Sequence, residues 1–126
     1  MRSFIGDIED LTEENRHFRR VVHTGAHMQL VLMTLQPGEE IGEEVHEDTD
    51  QFFRIEEGKG EVVINGEATR IESGTGLVIR AGDRHNVRNT GEKPLKMYTL
   101  YAPPHHADGT IQLTREDAAK AEGSGT

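Results

Sequence analysis

The dipeptide Asn65-Gly66 lies between Val62-Val63-Ile64 and Glu67-Ala68-Thr69, and it constrains this chain more than any other local feature. A two-residue connection between antiparallel strands needs positive φ at both positions, and Asn followed by Gly reaches those angles at least cost. A tight hairpin is therefore predicted there. Further strand-like runs fall at residues 20–24, 27–36, 51–56, 60–64, 68–72, 77–80, 85–89 and 95–102, separated by Gly, Pro, Asn and Asp. Short strands at this spacing predict an all-β sandwich or small barrel. The run 28–35 is apolar at both parities, with Met28, Leu30 and Leu32 on one side and Val31, Met33 and Leu35 on the other. Both faces must be covered, one by the barrel interior and the other by a second sheet or subunit. Two short helices complete the expectation. One lies within 6–15, with Ile5, Ile8 and Leu11 on one side; the other is capped by Thr114, with Glu116 and Asp117 in its first turn. Residues 123–126 have linker composition and are expected to be disordered.

A chain of 126 residues without internal repeat is expected to form one domain. With no cysteine, disulfides, thiol nucleophiles and thiolate metal sites are excluded. Fourteen Lys and Arg against 23 Asp and Glu give a net charge of -9, which repels phosphate backbones and anionic lipid. No nucleic acid or membrane partner is expected. The start has no apolar signal core, and the longest aliphatic run is Leu30-Val31-Leu32-Met33, so the expected location is cytoplasmic.

Two stretches carry chemistry. The first reads Gly38, five residues, Glu44, one residue, His46, four residues, Gln51, six residues, Gly58. On a strand, residues two apart share a face, so Glu44 and His46 can aim an oxygen and an imidazole at one point. Gln51, Phe53 and Ile55 share the next strand's face. The second stretch reads Gly74, five residues, Arg80, one residue, Gly82, two residues, His85, three residues, Asn89, and it delivers another imidazole just after a turn.

In this order the two glycine-framed spacings resemble the motifs of the cupin superfamily over roughly residues 28–103. Glu44 stands where the family's first His is usual, Gln51 where its Glu is usual, and Arg80 where its Pro is usual. The resemblance implies a double-stranded β-helix, that is, a cupin or jelly-roll barrel with a short C-terminal helix. Its single domain spans 1–126, with the barrel core at about 20–103 and an extension at 104–126. It also implies a homodimer and one divalent transition metal held by Glu44, His46, Gln51 and His85. Two imidazoles and two oxygen donors suit Zn, Fe, Mn, Ni or Co.

The reading that follows is a small metalloenzyme that isomerises or tautomerises a carbohydrate-derived molecule, with Glu44 or His85 moving the proton. The ligand types resemble those of cupin-fold sugar isomerases. A metal-dependent dioxygenase and a non-catalytic small-molecule sensor are the alternatives. Phe53, Arg88, Asn89, Tyr98, Tyr101 and His106 are the expected substrate contacts. His105 and His106, after Pro103-Pro104, are either a plain loop or a pair folded across the mouth. His17, His23 and His27 lie outside the motifs and read as surface or edge residues. Seven acids between Glu39 and Asp50 read for the most part as a solvated loop; as a rim they raise the local cation concentration and disfavour anionic substrates unless the metal and Arg54, Arg80 or Arg88 offset them.

Overall fold

The computed structural model of the chain describes residues 2–124. Helix α1 (Ile8–Glu14) is followed by strands β1 (Arg19–Thr24), β2 (Gln29–Leu35), β3 (Asp50–Glu57), β4 (Lys59–Ile64), β5 (Glu67–Glu72), β6 (Gly76–Ile79), β7 (His85–Arg88), β8 (Leu95–Ala102) and β9 (Ile111–Gln112), and then by helix α2 (Arg115–Ser124). Each of the eight predicted strands is present within two residues of its expected ends. The short β9 was not expected. Gly123 and Ser124 close α2 rather than forming a linker, and Gly125 and Thr126 lie outside the described residues. No helix among the described residues is long and apolar enough to cross a membrane.

The strands form two sheets, one ordered β6-β3-β8-β2-β1-β9 and one ordered β5-β4-β7, with antiparallel pairing throughout. The segment before β3 extends the smaller sheet, because Glu40 bridges Arg88 and Glu44 bridges His85. Between β4 and β5 the predicted hairpin forms with Ile64 opposite Glu67, Asn65 at φ 49° and Gly66 at φ 84°. Its tip is also a brace. Asn65 accepts a hydrogen bond from the Arg84 amide at 2.9 Å and donates to the Asp83 carboxylate at 3.1 Å, holding the turn that precedes His85.

Alternation along the strands sends Val21, Val31, Met33, Leu35, Phe53, Ile55, Ile79, Leu95 and Met97 inward from the larger sheet, against Val62, Ile71 and Val87 of the smaller. Fully burying each such side chain contributes about 1.5–3 kcal/mol. Ala118 of α2 belongs to the same core, so the C-terminal extension closes the barrel and is not an appendage. The Thr114 cap forms as predicted, its hydroxyl accepting from the Asp117 amide at 3.0 Å.

Every residue of β2 is buried within the single chain. Its outer face needs no second subunit, because α1 packs over β2, β3 and β8. Lys96 ties that helix down by donating to the carbonyls of Glu13 and Asn15, and Thr34 donates to the Asn15 carbonyl at 2.8 Å. Two sequence expectations change here. Met28 lies outside the strand and is half exposed, and Ile5 is 95% exposed, so it does not share the buried side of α1.

Asn89 also leaves its expected role. Its amide donates to the carbonyls of Leu35 at 2.9 Å and Lys93 at 2.8 Å, and its oxygen accepts from the Gly91 amide at 2.9 Å. With those bonds made, the side chain is a strand-end clasp. Replacing it with Ala leaves the buried Leu35 carbonyl without its partner. Asn89→Ala should therefore lower unfolding free energy by about 2–4 kcal/mol, measured in urea, while leaving metal content unchanged; loss of metal with full stability would contradict this role.

Candidate metal centre

The barrel is polar at one end and apolar at the other, and the register shows why. Across the larger sheet, Gln29 faces Tyr101 and Tyr101 faces Gln51. One inward row deeper come Val31, Thr99 and Phe53, then Met33, Met97 and Ile55, then Leu35 and Leu95. His85 begins β7 at the polar end, and its antiparallel bridge to Glu44 brings the first motif alongside the second. The Glu44 amide donates to the His85 carbonyl at 2.8 Å, and the His85 amide donates back at 2.9 Å.

A turn fixes the approach. Gly82 takes φ +88°, which disfavours any residue bearing a Cβ, and its amide donates to the His46 carbonyl at 2.9 Å. Asp50 accepts from the Ala81 amide at 2.9 Å. Arg80, where the family pattern has Pro, spans the same turn by donating to both carboxylate oxygens of Asp83 at 3.0 and 3.3 Å. These contacts tie the loop carrying His46 to the turn carrying His85.

The donor atoms themselves are left for a ligand. Nδ1 of His85 lies 3.0 Å from the Asp83 carbonyl oxygen. A carbonyl can only accept, so Nδ1 carries the proton and Nε2 keeps its lone pair. Gln51 donates its amide to the Thr99 hydroxyl at 3.0 Å, which turns Oε1 away from that bond. His46 Nε2, Gln51 Oε1 and His85 Nε2 are all buried without a hydrogen-bond partner among the described residues. Unpartnered buried polar atoms are costly in a protein interior, and a divalent cation is one kind of partner that could satisfy them. Glu44 Oε2 lies 3.7 Å from His46 Nε2 and supplies the one carboxylate of the set. The rings of His46 and His85 are 5.4 Å apart.

A fifth residue joins them that the motif spacing did not contain. One donor atom from each of Glu44, His46 and His105 falls within 4.8 Å of the others. The His105 ring lies 4.3 Å from that of His46 and stacks on Tyr101 at 5.4 Å. The His105-His106 pair thus folds across the mouth. Among the expected substrate contacts, Tyr101 stands 6.0 Å from the His46 ring and its hydroxyl lies 3.3 Å from His106 Nε2, while Phe53 is one row deeper. Arg88 and Tyr98 are not brought to the site. Arg88 is three residues from His85 and Tyr98 three from Tyr101, so alternation turns both outward. Arg88 pairs with Glu61, and Tyr98 packs against Phe52 at 6.3 Å. Arg54 and Arg80 pair with Glu56 and Asp83, so neither offsets the acidic rim. The rim is itself partly committed, since Glu39 accepts from Gln36, Glu43 pairs with Arg84 and Asp50 caps Ala81.

A buried cation on the wall was also missed. Arg19 is 1% exposed, donates to Gln112 at 2.6 Å and lies over the Phe18 ring. Burial, followed by His105, His85 and Arg19, pushes His46 down to about 4. Burial, followed by Arg19, His105 and His46, pushes His106 down to about 3. Both imidazoles are neutral at pH 7, the state a metal ligand requires. In the unfolded chain these histidines take up protons near pH 6.5. Between that value and the folded values the unfolded state binds more protons, so stability falls as pH falls. The urea midpoint of metal-free protein should drop from pH 7 to pH 5, and a flat midpoint over that interval would contradict the burial of these two rings.

Comparison with known proteins agrees with this geometry. A family model described as a cupin domain, Cupin_2, matches residues 31–101. The protein YrkC of Bacillus subtilis, named as uncharacterized, is 42% identical over 127 residues, covering 96% of this chain and 68% of that protein. The crystal structure of BH2720 from Bacillus halodurans is 45% identical with a TM-score of 0.94, covering 95% of this chain and 96% of that one. The tetracenomycin polyketide synthase protein TcmJ of Streptomyces glaucescens is 33% identical over 69 residues, 55% of this chain and 46% of that protein. With the two motifs side by side in a double-stranded β-helix and the domain match running through them, the chain belongs to the cupin family.

Proposed function

We propose that this cupin is a small metalloenzyme that isomerises or tautomerises an oxygen-rich, carbohydrate-derived small molecule in the polar mouth of its barrel. The observation that carries the reading is the set of three buried, unpartnered acceptors on His46, Gln51 and His85 beside the Glu44 carboxylate. In this reading those four residues hold one divalent ion of the Zn, Fe, Mn, Ni or Co class. Such an ion, when bound, supplies Lewis-acid polarisation of adjacent carbonyl and hydroxyl oxygens.

The chain's own groups do the rest. His85, fixed in one tautomer by Asp83, and Gln51, fixed by Thr99, orient the centre from the barrel wall. Glu44 is the more exposed member of the pair with His46, with side-chain exposures of 22% and 8%, and therefore meets the substrate first. With one carboxylate oxygen given to the ion, the other would take the proton from the hydroxyl-bearing carbon and return it to the former carbonyl carbon, while the hydroxyl proton passes to the former carbonyl oxygen, so no net oxidation occurs. Tyr101 and His106 present a hydroxyl and a neutral imidazole along the same wall, while Phe53 offers an apolar floor that excludes water.

We also propose a homodimer, formed on the outer face of the larger sheet. There Val78, Phe52 and Leu100 make a cross-strand row, and Val78 is 64% exposed. Light scattering should give a dimer for the wild type and a monomer for Val78→Lys; a monomeric wild type would refute this interface.

Two measurements test the activity. Elemental analysis of purified protein should find about one divalent metal per chain, with His46→Ala and His85→Ala each reducing occupancy about tenfold or more; a metal-free wild type that cannot be reconstituted would exclude the centre. With substrate in hand, Glu44→Gln should lower kcat about 10²–10⁴-fold, and turnover should persist without oxygen. Turnover coupled to oxygen consumption would make the protein a dioxygenase instead, and a ligand held unchanged would make it a sensor.

A further inference from the structure

Gln29 is the one polar residue on the inward face of β2, whose other inward positions are Val31, Met33 and Leu35. It is completely buried. A buried amide at an apolar strand position is destabilising unless all its polar groups are used, and here they are. Its oxygen accepts from the amides of His105 at 3.1 Å and His106 at 2.9 Å. Its nitrogen donates to the His106 carbonyl at 2.7 Å and to the Thr24 hydroxyl at 3.0 Å. Three of these four bonds reach the main chain of the turn after β8, so the turn is held whatever its side chains are.

The consequence lies in what that turn carries. With its main chain clasped from below, the His105 ring stacks on Tyr101 and stands 4.3 Å from the His46 ring, and a donor nitrogen comes within 4.8 Å of ligand atoms on Glu44 and His46. Neither cupin motif supplies this imidazole. We infer that Gln29 is a positioning residue whose clasp on residues 105 and 106 delivers His105 to the metal centre as a further nitrogen donor from outside the two motif segments. This inference rests on the metal-binding reading above and adds a donor to it.

The test is a Co(II) titration of the full chain, following both affinity and the visible d–d absorption, because that absorption reports the number and type of donors and a purely structural role would not change it. His105→Ala removes the imidazole while leaving every Gln29 bond in place, since those bonds involve main-chain atoms of the turn. It should weaken Co(II) binding about 10–100-fold and alter the spectrum, and added imidazole should restore the wild-type spectrum. Gln29→Leu, which keeps the volume and removes the clasp, should shift the spectrum in the same direction with His105 still present. Should Gln29→Leu fail to fold, Gln29→Met, which keeps the length of the side chain and removes its amide, tests the clasp and should shift the spectrum in the same direction. A wild-type spectrum there would count against the clasp. Wild-type affinity and spectrum in His105→Ala would overturn the inference even though His85→Ala abolishes binding. If the wild type binds no Co(II), or His46→Ala and His85→Ala bind as well as the wild type, the metal centre itself fails and this assignment with it.

Discussion

Three buried side-chain atoms without hydrogen-bond partners at one end of the barrel, His46 Nε2, Gln51 Oε1 and His85 Nε2, are the constraint around which the rest of the molecule is arranged. An unsatisfied acceptor in a protein interior costs about 1–3 kcal/mol, and this small domain keeps three of them together. Their orientation is enforced by partners that have no other evident use: the Asp83 carbonyl for one imidazole and the Thr99 hydroxyl for the amide. Behind those partners stands the hairpin tip at Asn65, which grips Asp83 and Arg84. A polar centre built to this degree is stable when a cation sits among its acceptors, and the acidic segment at its rim favours the approach of one.

The layering of the barrel separates stability from function. Rows of Val, Met, Ile and Leu fill the apolar end, α1 covers an outer sheet face, and α2 contributes Ala118 to the core. The last inward row is polar, with Gln29, Tyr101 and Gln51 and His85 across from it, and Thr99 in the row beneath supports Gln51. The mouth can therefore diversify its chemistry at little cost to the core, in keeping with the variety of functions a common fold supports.

Much of this was legible in the sequence. The Asn65-Gly66 turn, the glycine frames and period-two alternation are local signals, and they place His46, Gln51 and His85 at one end of the barrel. Parity would also have excluded Arg88 and Tyr98, because positions three apart on a strand cannot share a face with His85 and Tyr101. His105 was not legible as a candidate ligand, since its position depends on a clasp from Gln29, 76 residues earlier. The hint was Gln29 itself, a polar residue at an inward position of an otherwise apolar strand. Asn89 resembled a site residue because it falls on the motif spacing, yet the spacing there serves a backbone clasp. Neither the second sheet nor the subunit expected over β2 was needed, because α1 covers that face, and α1 came from a weakly periodic segment that gave little sign of where it would pack.

Anomalous diffraction collected on either side of the absorption edge of a bound Zn or Co ion tests most directly whether these buried atoms are metal donors. The expected result is a single peak about 2.0–2.3 Å from His46 Nε2 and His85 Nε2, with Gln51 Oε1 in the same shell. A peak confined to exposed carboxylates, or none in the barrel mouth at saturating metal, would contradict it.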